Sequence, residues 1–421
     1  MNEAFLQYIW QHRLFYPIDL QTVSGKKIEI LDAGKPNRDA GPDFFNAKIK
    51  IDDMLWAGNV EIHLRSSDWK RHRHAKDYEN VILHVVKIAD EPVLRLSGEE
   101  IPQLVLQYSQ NAENQYKNWL TNKKSIPCVD KLCELPDVFL QSHLNRLLSE
   151  RLEQKTLAIE NLLEQSKNHW EEAFYVTLSR NFGFGINAQP FEMLARALPL
   201  NYLAKHKDNL FQIEALLFGQ AGLLNSENPD DYDEKLRKEY HFLQNKFFLQ
   251  PIDGSMWKML RVRPGNFPHI RIAQLANLIH RSSKLFSKII ENPHYKSLVL
   301  LFDTEVSEYW LTHFRFGQTS PERKHKLGKS TIDNLLINTV VPFLFAYGKA
   351  KNEKIFQEKA MSLLEEIPAE KNHIIESWAE LNIKAQNAFE SQALLQLRKN
   401  YCDEKKCLHC AIGYKLLTEL K

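Results

Sequence analysis

The period of the hydrophobic pattern changes once along the chain, and this change most limits the folds open to it. Near the N-terminus, apolar and polar side chains alternate in short runs at 27–31, 44–51 and 55–64. A period of two residues is the pattern of a β-strand. From about Asp137 onward, apolar residues recur three and four positions apart, as they do on an amphipathic helix. The sequence therefore predicts an N-terminal α/β module followed by a large all-helical domain.

The N-terminal module is predicted to hold a helix, three strands, a short helix and a further strand, in that order. The polar pair Asp52-Asp53 marks a tight turn that joins the second and third strands as a hairpin. The strand after the short helix is apolar almost throughout, which is typical of a strand covered on both faces. The predicted elements are a helix at 2–12, strands at 27–31, 44–51 and 55–64, a short helical stretch at 67–80, and strands at 81–86, 93–96 and 103–106.

Chain length and helix-breaking residues indicate further divisions. A chain of 421 residues is too long for one ordinary core and indicates two or three domains. The stretch before Asp137 is polar and contains Pro127 and Pro136, which favours a linker. The predicted segments are the α/β module at 1–108, a linker at 109–136, the helical domain at 137–400 and a cysteine-rich tail at 401–421.

Composition favours a protein of the cytoplasm. No apolar run is long enough to span a bilayer, and the first residues lack the basic and then apolar order of a secretion signal. The five cysteines do not resemble a secreted disulfide framework and fit a reducing compartment. The net charge of +2 gives no overall attraction for nucleic acid, so that any such interaction depends on local patches.

Three side chains of the module form the candidate catalytic site. Asp43 begins one predicted strand, and Glu61 and His63 lie two residues apart on the next, so that they share a face. Adjacent antiparallel strands bring such side chains close enough to meet at one cation. Two carboxylates are suitable ligands for a hard divalent ion such as Mg²⁺ or Mn²⁺. The ion would activate a water for attack on a phosphate, and His63 would orient that water or contact the phosphate.

The residues and their order resemble the PD-(D/E)xK nuclease superfamily. A proline and an aspartate are followed by an acid on the next strand. These residues lie in a predicted order of helix, three strands, helix and strand. The resemblance covers roughly the first ninety residues, which is the length of a single domain. The resemblance implies a restriction-endonuclease-like core and a metal-dependent phosphodiesterase. It also implies that Asp43 and Glu61 bind the metal, and that Glu3 is the additional acid on the first helix.

One position departs from that superfamily. His63 stands where its members carry a lysine that assists the water, and the two side chains differ in charge at neutral pH. Lys48 or Lys50 on the neighbouring strand would have to place its ammonium group where the superfamily's lysine lies. Two readings therefore stay open beside a nuclease of DNA or RNA. One is a non-catalytic nucleic-acid-binding or scaffold protein with a degenerate core, and the other is a zinc-dependent hydrolase.

A second resemblance covers the whole chain. The stretches NRDAGPDF, GNVEIH, SDW and VILHVV are similar to those of an uncharacterised bacterial family, the domain of unknown function 2851. This resemblance indicates a family without implying an activity.

A basic stretch with two histidines follows the third strand. Placed at the mouth of the site, its charges would attract phosphate, so we predict that it binds nucleic acid. With His63, the two histidines would instead form the site of a zinc hydrolase. The residues are Lys70, Arg71, His72, Arg73 and His74.

Three late cysteines have the spacing of metal ligands. Cys402, Cys407 and Cys410 suit Zn²⁺ or an iron–sulfur cluster, and each of these needs a fourth ligand. Cys128, Cys133 or His409 could supply it. A few nucleases of the superfamily hold such a cluster with one early and three late cysteines, so the resemblance implies a structural site that fixes the tail.

Two further segments are basic. Residues 261–271 and 321–329 are each typical of solvated loops, and both could line a nucleic-acid groove if they face the N-terminal module.

Overall fold

The chain folds into two units, each described separately below. Unit 1 is Met1–His143 with Leu397–Lys421, and unit 2 is Leu144–Gln396. The computed structural model describes residues 2–37, 39–71, 75–224, 229–260, 262–282 and 284–420, with only the backbone of 71, 75 and 76.

A six-stranded mixed sheet forms the centre of unit 1. Its strand order is β1-β3-β4-β5-β6, with the short β2 also paired to β3. The pairs β1–β3, β2–β3 and β3–β4 are antiparallel, whereas β4–β5 and β5–β6 are parallel. The first elements are α1 (Glu3–Gln11), β1 (Ile28–Asp32), β2 (Lys35–Pro36), β3 (Phe44–Ile51), β4 (Met54–Arg65), β5 (Val81–Ile88) and β6 (Gln103–Val105).

Helix α1 begins at a side-chain cap and packs on the sheet. The Asn2 side chain accepts a hydrogen bond from the Phe5 backbone N–H, which satisfies one donor of the first turn. Phe5 and Trp10 lie on the predicted apolar face and are buried. The Trp10 indole donates to the Ala33 carbonyl at 2.9 Å, fixing the end of the helix beside β1. The predicted helix at 2–12 is thus confirmed.

The hairpin of β3 and β4 forms where the sequence predicts it. Asp52 adopts a left-handed conformation with φ of 51°, and its carboxylate accepts from the Lys27 backbone N–H. A β-bulge that was not predicted lies at Asn46, whose φ is 58°, and the register shifts between Phe44 and Ala47. The extra residue lets both Phe44 and Ala47 face the core although they are three positions apart.

The predicted short helical stretch is present as two 3-10 segments, Ser66–Arg71 and Ala75–Tyr78. The structure differs from the prediction at two other places in this module. The predicted strand at 93–96 forms only an isolated bridge between Leu94 and Glu100, and Val93 packs into the core with Val81 and Ile101. The two-residue β2 was not predicted.

The segment predicted as a linker is folded. Residues 109–136 contain α2 (Gln110–Thr121) and belong to unit 1. Tyr116 and Trp119 of this polar helix are buried, so a few aromatic side chains anchor it despite its composition. The tail returns to the same unit, which was not predicted from its position in the sequence.

Unit 2 is largely helical, as the periodicity predicts. One exception is a short hairpin, β7 (His313–Arg315) and β8 (Gln318–Thr319), which pairs around Gly317. The helices from the end of unit 1 onward are α3 (Asp137–Gln165), α4 (Trp170–Phe182), α5 (Ala188–Ala197), α6 (Leu200–Ala204), α7 (Leu210–Gln220), α8 (Asp231–Phe247), α9 (Pro268–Arg281), α10 (Leu285–Glu291), α11 (Tyr295–Phe302), α12 (Lys329–Leu335), α13 (Val341–Lys351), α14 (Lys354–Glu366), α15 (His373–Ala379), α16 (Ala388–Leu397) and, back in unit 1, α17 (Ala411–Thr418).

Helix α7 is buried along most of its length. All of its residues from Ile213 to Gln220 are buried, so it has no polar face. Helix α8 approaches it closely at Gly219, where an added Cβ would lie 2.0 Å from the Tyr240 ring. Among the described residues, no helix combines the length and apolar character needed to cross a bilayer.

Candidate functional site

The structure brings Asp43 and Glu61 together at one end of the β3–β4 pair. Phe44 lies opposite Val60 in the register, so the residues next to them are neighbours. The Asp43 backbone N–H donates to Glu61 Oε2 at 3.0 Å, and the Ile62 backbone N–H donates to Asp43 Oδ2 at 3.0 Å. Each carboxyl group is thus held by the backbone of the opposite strand. We refer to Asp43 and Glu61 as the acid pair.

Helix α1 contributes two further polar residues. Gln7 donates from Nε2 to Asp43 Oδ1 at 2.9 Å. Glu3, one turn earlier on the same face, is close enough for its charge to raise the pKa of Glu61. The predicted helical acid is therefore near the acid pair, and Gln7 is a contributor that the sequence pattern did not reveal.

Burial and mutual repulsion dominate the electrostatics of the acid pair. Glu61 is 3% exposed, and burial together with the charge of Asp43 raises its pKa to about 9. Burial also raises the pKa of Asp43, against the opposing effect of the hydrogen bonds from Gln7 and Ile62. The two groups titrate as a pair, and a proton or a cation between them relieves the repulsion.

His63 connects the acid pair to a second histidine that the sequence did not single out for the site. Its Nε2 lies 3.5 Å from Glu61 Oε1, and its Nδ1 lies 2.8 Å from Nε2 of His84. Both histidines are buried, and the Trp69 ring packs edge-on or tilted against them, with centroid distances of 6.5 and 5.1 Å. His84 pairs directly with Glu61 in the β4–β5 register. His63 thus lies between Glu61 and His84, within 3.5 Å of each.

Tyr78, in the second 3-10 segment, lies close enough to the acid pair for the two charges to affect it. Burial and the charges of Glu61 and Asp43 raise its pKa to about 12, which places its hydroxyl in the field of both acids. A tyrosine within an irregular stretch has no sequence pattern that would reveal this position. The proximity of Tyr78 to the acid pair depends on the fold of the segment Ala75–Tyr78.

The lysines proposed to substitute for His63 lie elsewhere on the sheet. Lys48 pairs with Ala57 and Lys50 with Leu55, so Lys48 is opposite a residue four positions before Glu61. At the rise of a strand this separation is roughly 13 Å. The backbone positions of Lys48 and Lys50 are therefore distant from Glu61, and a substitution by either for the lysine of PD-(D/E)xK nucleases stays a prediction.

The basic stretch is described only in part. Lys70 is exposed, and its Nζ lies 2.6 Å from Glu91 Oε2. Arg71 ends the first 3-10 segment, and its side chain is not described. His72, Arg73 and His74 lie outside the described residues, so their predicted role at the mouth of the site, or in a zinc site, stays a prediction.

Four of the five cysteines line one small cavity in unit 1. Cys128, Cys402, Cys407 and Cys410 surround a space of about 20 Å³, which has no polar lining. Cys133 is exposed and does not line it. Among the open alternatives for the fourth ligand, the geometry thus favours Cys128 over Cys133 and His409. We refer to the four as the cysteine cluster.

The cysteine cluster depends on a close turn against α17. Cys407 begins a 3-10 turn and Cys410 precedes the helix. At Gly413, an added Cβ would lie 2.1 Å from the Cys407 carbonyl oxygen, so this position requires glycine. His143 Nε2 lies 4.0 Å from Cys410 Sγ, a neighbour that the sequence did not indicate.

Within the described part of the chain, no three histidine, cysteine, aspartate or glutamate side chains already stand in position to hold one ion. The acid pair offers two carboxylates, and the cysteine cluster offers four sulfur donors around a common space. These donor sets suit a hard divalent ion and a soft one respectively. Side-chain adjustment would be required on binding in both places.

Comparison with known proteins places the chain in a family. The profile of a family described as "Protein of unknown function (DUF2851)" matches residues 3–373. The chain belongs to the DUF2851 family. The matched range of this DUF2851 protein includes the acid pair and Cys128, and it ends before the three late cysteines. No curated protein and no solved structure gave a significant match, so the resemblance to PD-(D/E)xK nucleases stays a prediction.

Proposed function

We propose that this DUF2851 protein is a divalent-metal-dependent phosphodiesterase that acts on nucleic acid through the acid pair. The observation that carries the proposal is the convergence of Asp43 and Glu61, each hydrogen-bonded to the backbone of the opposite strand. A cation bound between the two carboxylates would remove their mutual repulsion, so the acid pair favours binding of a shared ion. Mg²⁺ or Mn²⁺ fits this donor set, with water and substrate phosphate as the remaining ligands.

The surrounding residues would act by holding the acid pair. Gln7 and the Ile62 N–H fix both oxygens of Asp43, and the Asp43 N–H fixes one oxygen of Glu61. His63 Nε2 lies 3.5 Å from the other oxygen of Glu61 and, in the tautomer that carries its proton there, would orient that oxygen toward a bound ion. The bound ion would lower the pKa of a water and neutralise charge on the phosphoryl group.

The direct test is cleavage of labelled single- and double-stranded DNA and RNA by the full chain with Mg²⁺ or Mn²⁺. We expect Asp43→Asn and Glu61→Gln each to reduce the rate by roughly a hundredfold or more, because each removes one anionic ligand while keeping its size. Glu29→Gln, an exposed acid on β1, is the matched control and should leave the rate unchanged. Cleavage that survives both site substitutions would dismiss the proposal.

Ion binding should be measured separately from cleavage. Mn²⁺ titrated by calorimetry should bind the wild-type chain and fail to bind Glu61→Gln. Binding without cleavage of any of the four substrates would favour the second candidate, a non-catalytic protein with a degenerate core. That candidate is supported by the histidine at position 63 and by the distant location of Lys48 and Lys50.

A further inference from the structure

Two basic loops of unit 2 meet around a pair of adjoining cavities. The cavities measure about 450 and 580 Å³, within the range of ligand sites. Arg263, Asn266, Arg271 and Thr331 lie in the walls of both, so the two spaces adjoin. We refer to the pair as the basic cleft.

The charge of the basic cleft is positive. Among the described residues that line it, none is aspartate or glutamate. Lys326 forms an ion pair with Glu305 outside the lining, and Lys324 also lies in the field of that acid. The lining cations are Arg263, Arg271, Arg323, Lys324 and Lys326. The arginines therefore carry charge that no lining residue neutralises.

Arg271 is the cation that points most strongly to a ligand. It is only 7% exposed, and its guanidinium donates to two neutral oxygens, Gln274 Oε1 at 2.9 Å and Asn266 Oδ1 at 2.6 Å. Its Nε is buried without a hydrogen-bond partner among the described residues. Burial lowers the pKa of Arg271 to about 10, so the group stays charged at neutral pH. A buried charge with only neutral partners lowers stability, and a bound anion would compensate it.

The smaller cavity adds an aromatic wall. The Arg271 guanidinium lies over the Phe184 ring, 4.5 Å from its centroid. Phe184 has a φ of 42°, a conformation that residues other than glycine rarely adopt. Ile186 and Phe191 extend the apolar lining. One end of the basic cleft thus suits an anion, and the other suits a flat apolar ring.

We propose that the basic cleft binds a nucleotide, with its phosphate groups at Arg263, Arg271 and Arg323 and its base beside Phe184. A nucleotide combines adjacent anionic groups with a planar ring, which is the combination that the two cavities offer. This site is independent of the acid pair and of its proposed reaction. Free nucleotide and the nucleotides of a single strand share this chemistry, and the experiment separates them.

The test is binding of fluorescent ADP to the full chain in EDTA, where no divalent ion supports cleavage at the acid pair. Unlabelled AMP, ADP, inorganic pyrophosphate and a ten-nucleotide single strand serve as competitors. We expect ADP to compete better than pyrophosphate, because the base adds contacts in the smaller cavity. A single strand that competes better than ADP identifies a strand as the ligand, and the reverse order identifies free nucleotide.

Three variants link binding to the basic cleft. Arg271→Met and the double variant Arg263→Ser/Arg323→Ser should each weaken ADP binding by roughly tenfold or more. Arg271→Met should also raise the melting temperature of the free protein, since it removes a buried charge that has no anionic partner within the described part of the chain. The charge-matched control is Lys235→Ala/Lys238→Ala on the exposed face of α8, which should bind as the wild type does.

Four results would overturn the proposal. They are an absence of ADP binding by the wild type, equal weakening in the control variant, unchanged binding in both arginine variants, and equal affinity for pyrophosphate and ADP. If Arg271→Met fails to fold, the exposed pair Arg263 and Arg323 still decides the question. Because EDTA is present throughout, a negative result here leaves the phosphodiesterase proposal untouched, and the converse also holds.

Discussion

A single buried carboxyl group in α7 makes the stability of unit 2 sensitive to pH. Glu214 is fully buried and accepts a hydrogen bond from the Tyr232 hydroxyl. Burial raises its pKa to about 7, against hydrogen bonds that lower it. The hydrophobic pattern of the sequence does not reveal that Glu214 is buried. Its neighbours on α7 are buried on all sides, so no periodicity separates an inner face from an outer one. At the scale of one residue, such environments must be read from the fold.

The direction of this pH dependence follows from proton linkage. The folded state keeps the proton on Glu214 to higher pH than the unfolded state, so the stabilising contribution is complete below the unfolded pKa and is lost as pH rises through about 7. We expect Glu214→Gln, which keeps the hydrogen-bond acceptor, to be more stable than the wild type at pH 8 and to lose that advantage near pH 4. Melting temperatures measured across this range check the prediction, and parallel curves for the two proteins would contradict it.

At the scale of helices and strands, the sequence predicts an element correctly where the residues that become buried are those of its local apolar periodicity. The helix at 2–12 and the hairpin around Asp52 are confirmed on this basis. The bulge at Asn46 and the buried Trp119 of α2 depend on which distant residues pack against them. For the candidate site, the sequence indicated the acids of β3 and β4, whereas Gln7 and His84 became visible only through strand register and helix packing.

The contact between α7 and α8 should be intolerant of any added side chain. We expect Gly219→Ala to destabilise unit 2 by about 1–3 kcal/mol or more, because its Cβ would overlap the buried Tyr240 ring. Urea unfolding measures the loss. Gly328→Ala is the control, since nothing lies within 4 Å of the Cβ that it adds, and it should unfold like the wild type. Equal effects of the two substitutions would refute the close packing.

At the scale of the whole molecule, the cysteine cluster draws on two distant parts of the sequence. We expect it to hold about one Zn²⁺ per chain, since four cysteine sulfurs around one small space match the ligand set of a structural zinc site. Elemental analysis of purified protein should show zinc in the wild type and in Cys133→Ser, and little in Cys128→Ser or Cys410→Ser. Loss of zinc should also lower the melting temperature of unit 1. Stoichiometric iron, or no metal, would contradict this expectation.

The division of the chain into units has a consequence for synthesis on the ribosome. Unit 2 is one uninterrupted stretch, Leu144–Gln396, whereas unit 1 requires Leu397–Lys421 in addition to the residues that are made first. Translation therefore delivers all of unit 2 while unit 1 still lacks its last segment. The first part of unit 1 must therefore wait for this segment through the synthesis of the whole intervening unit, and chaperones that bind exposed apolar surface would have their longest opportunity during that interval.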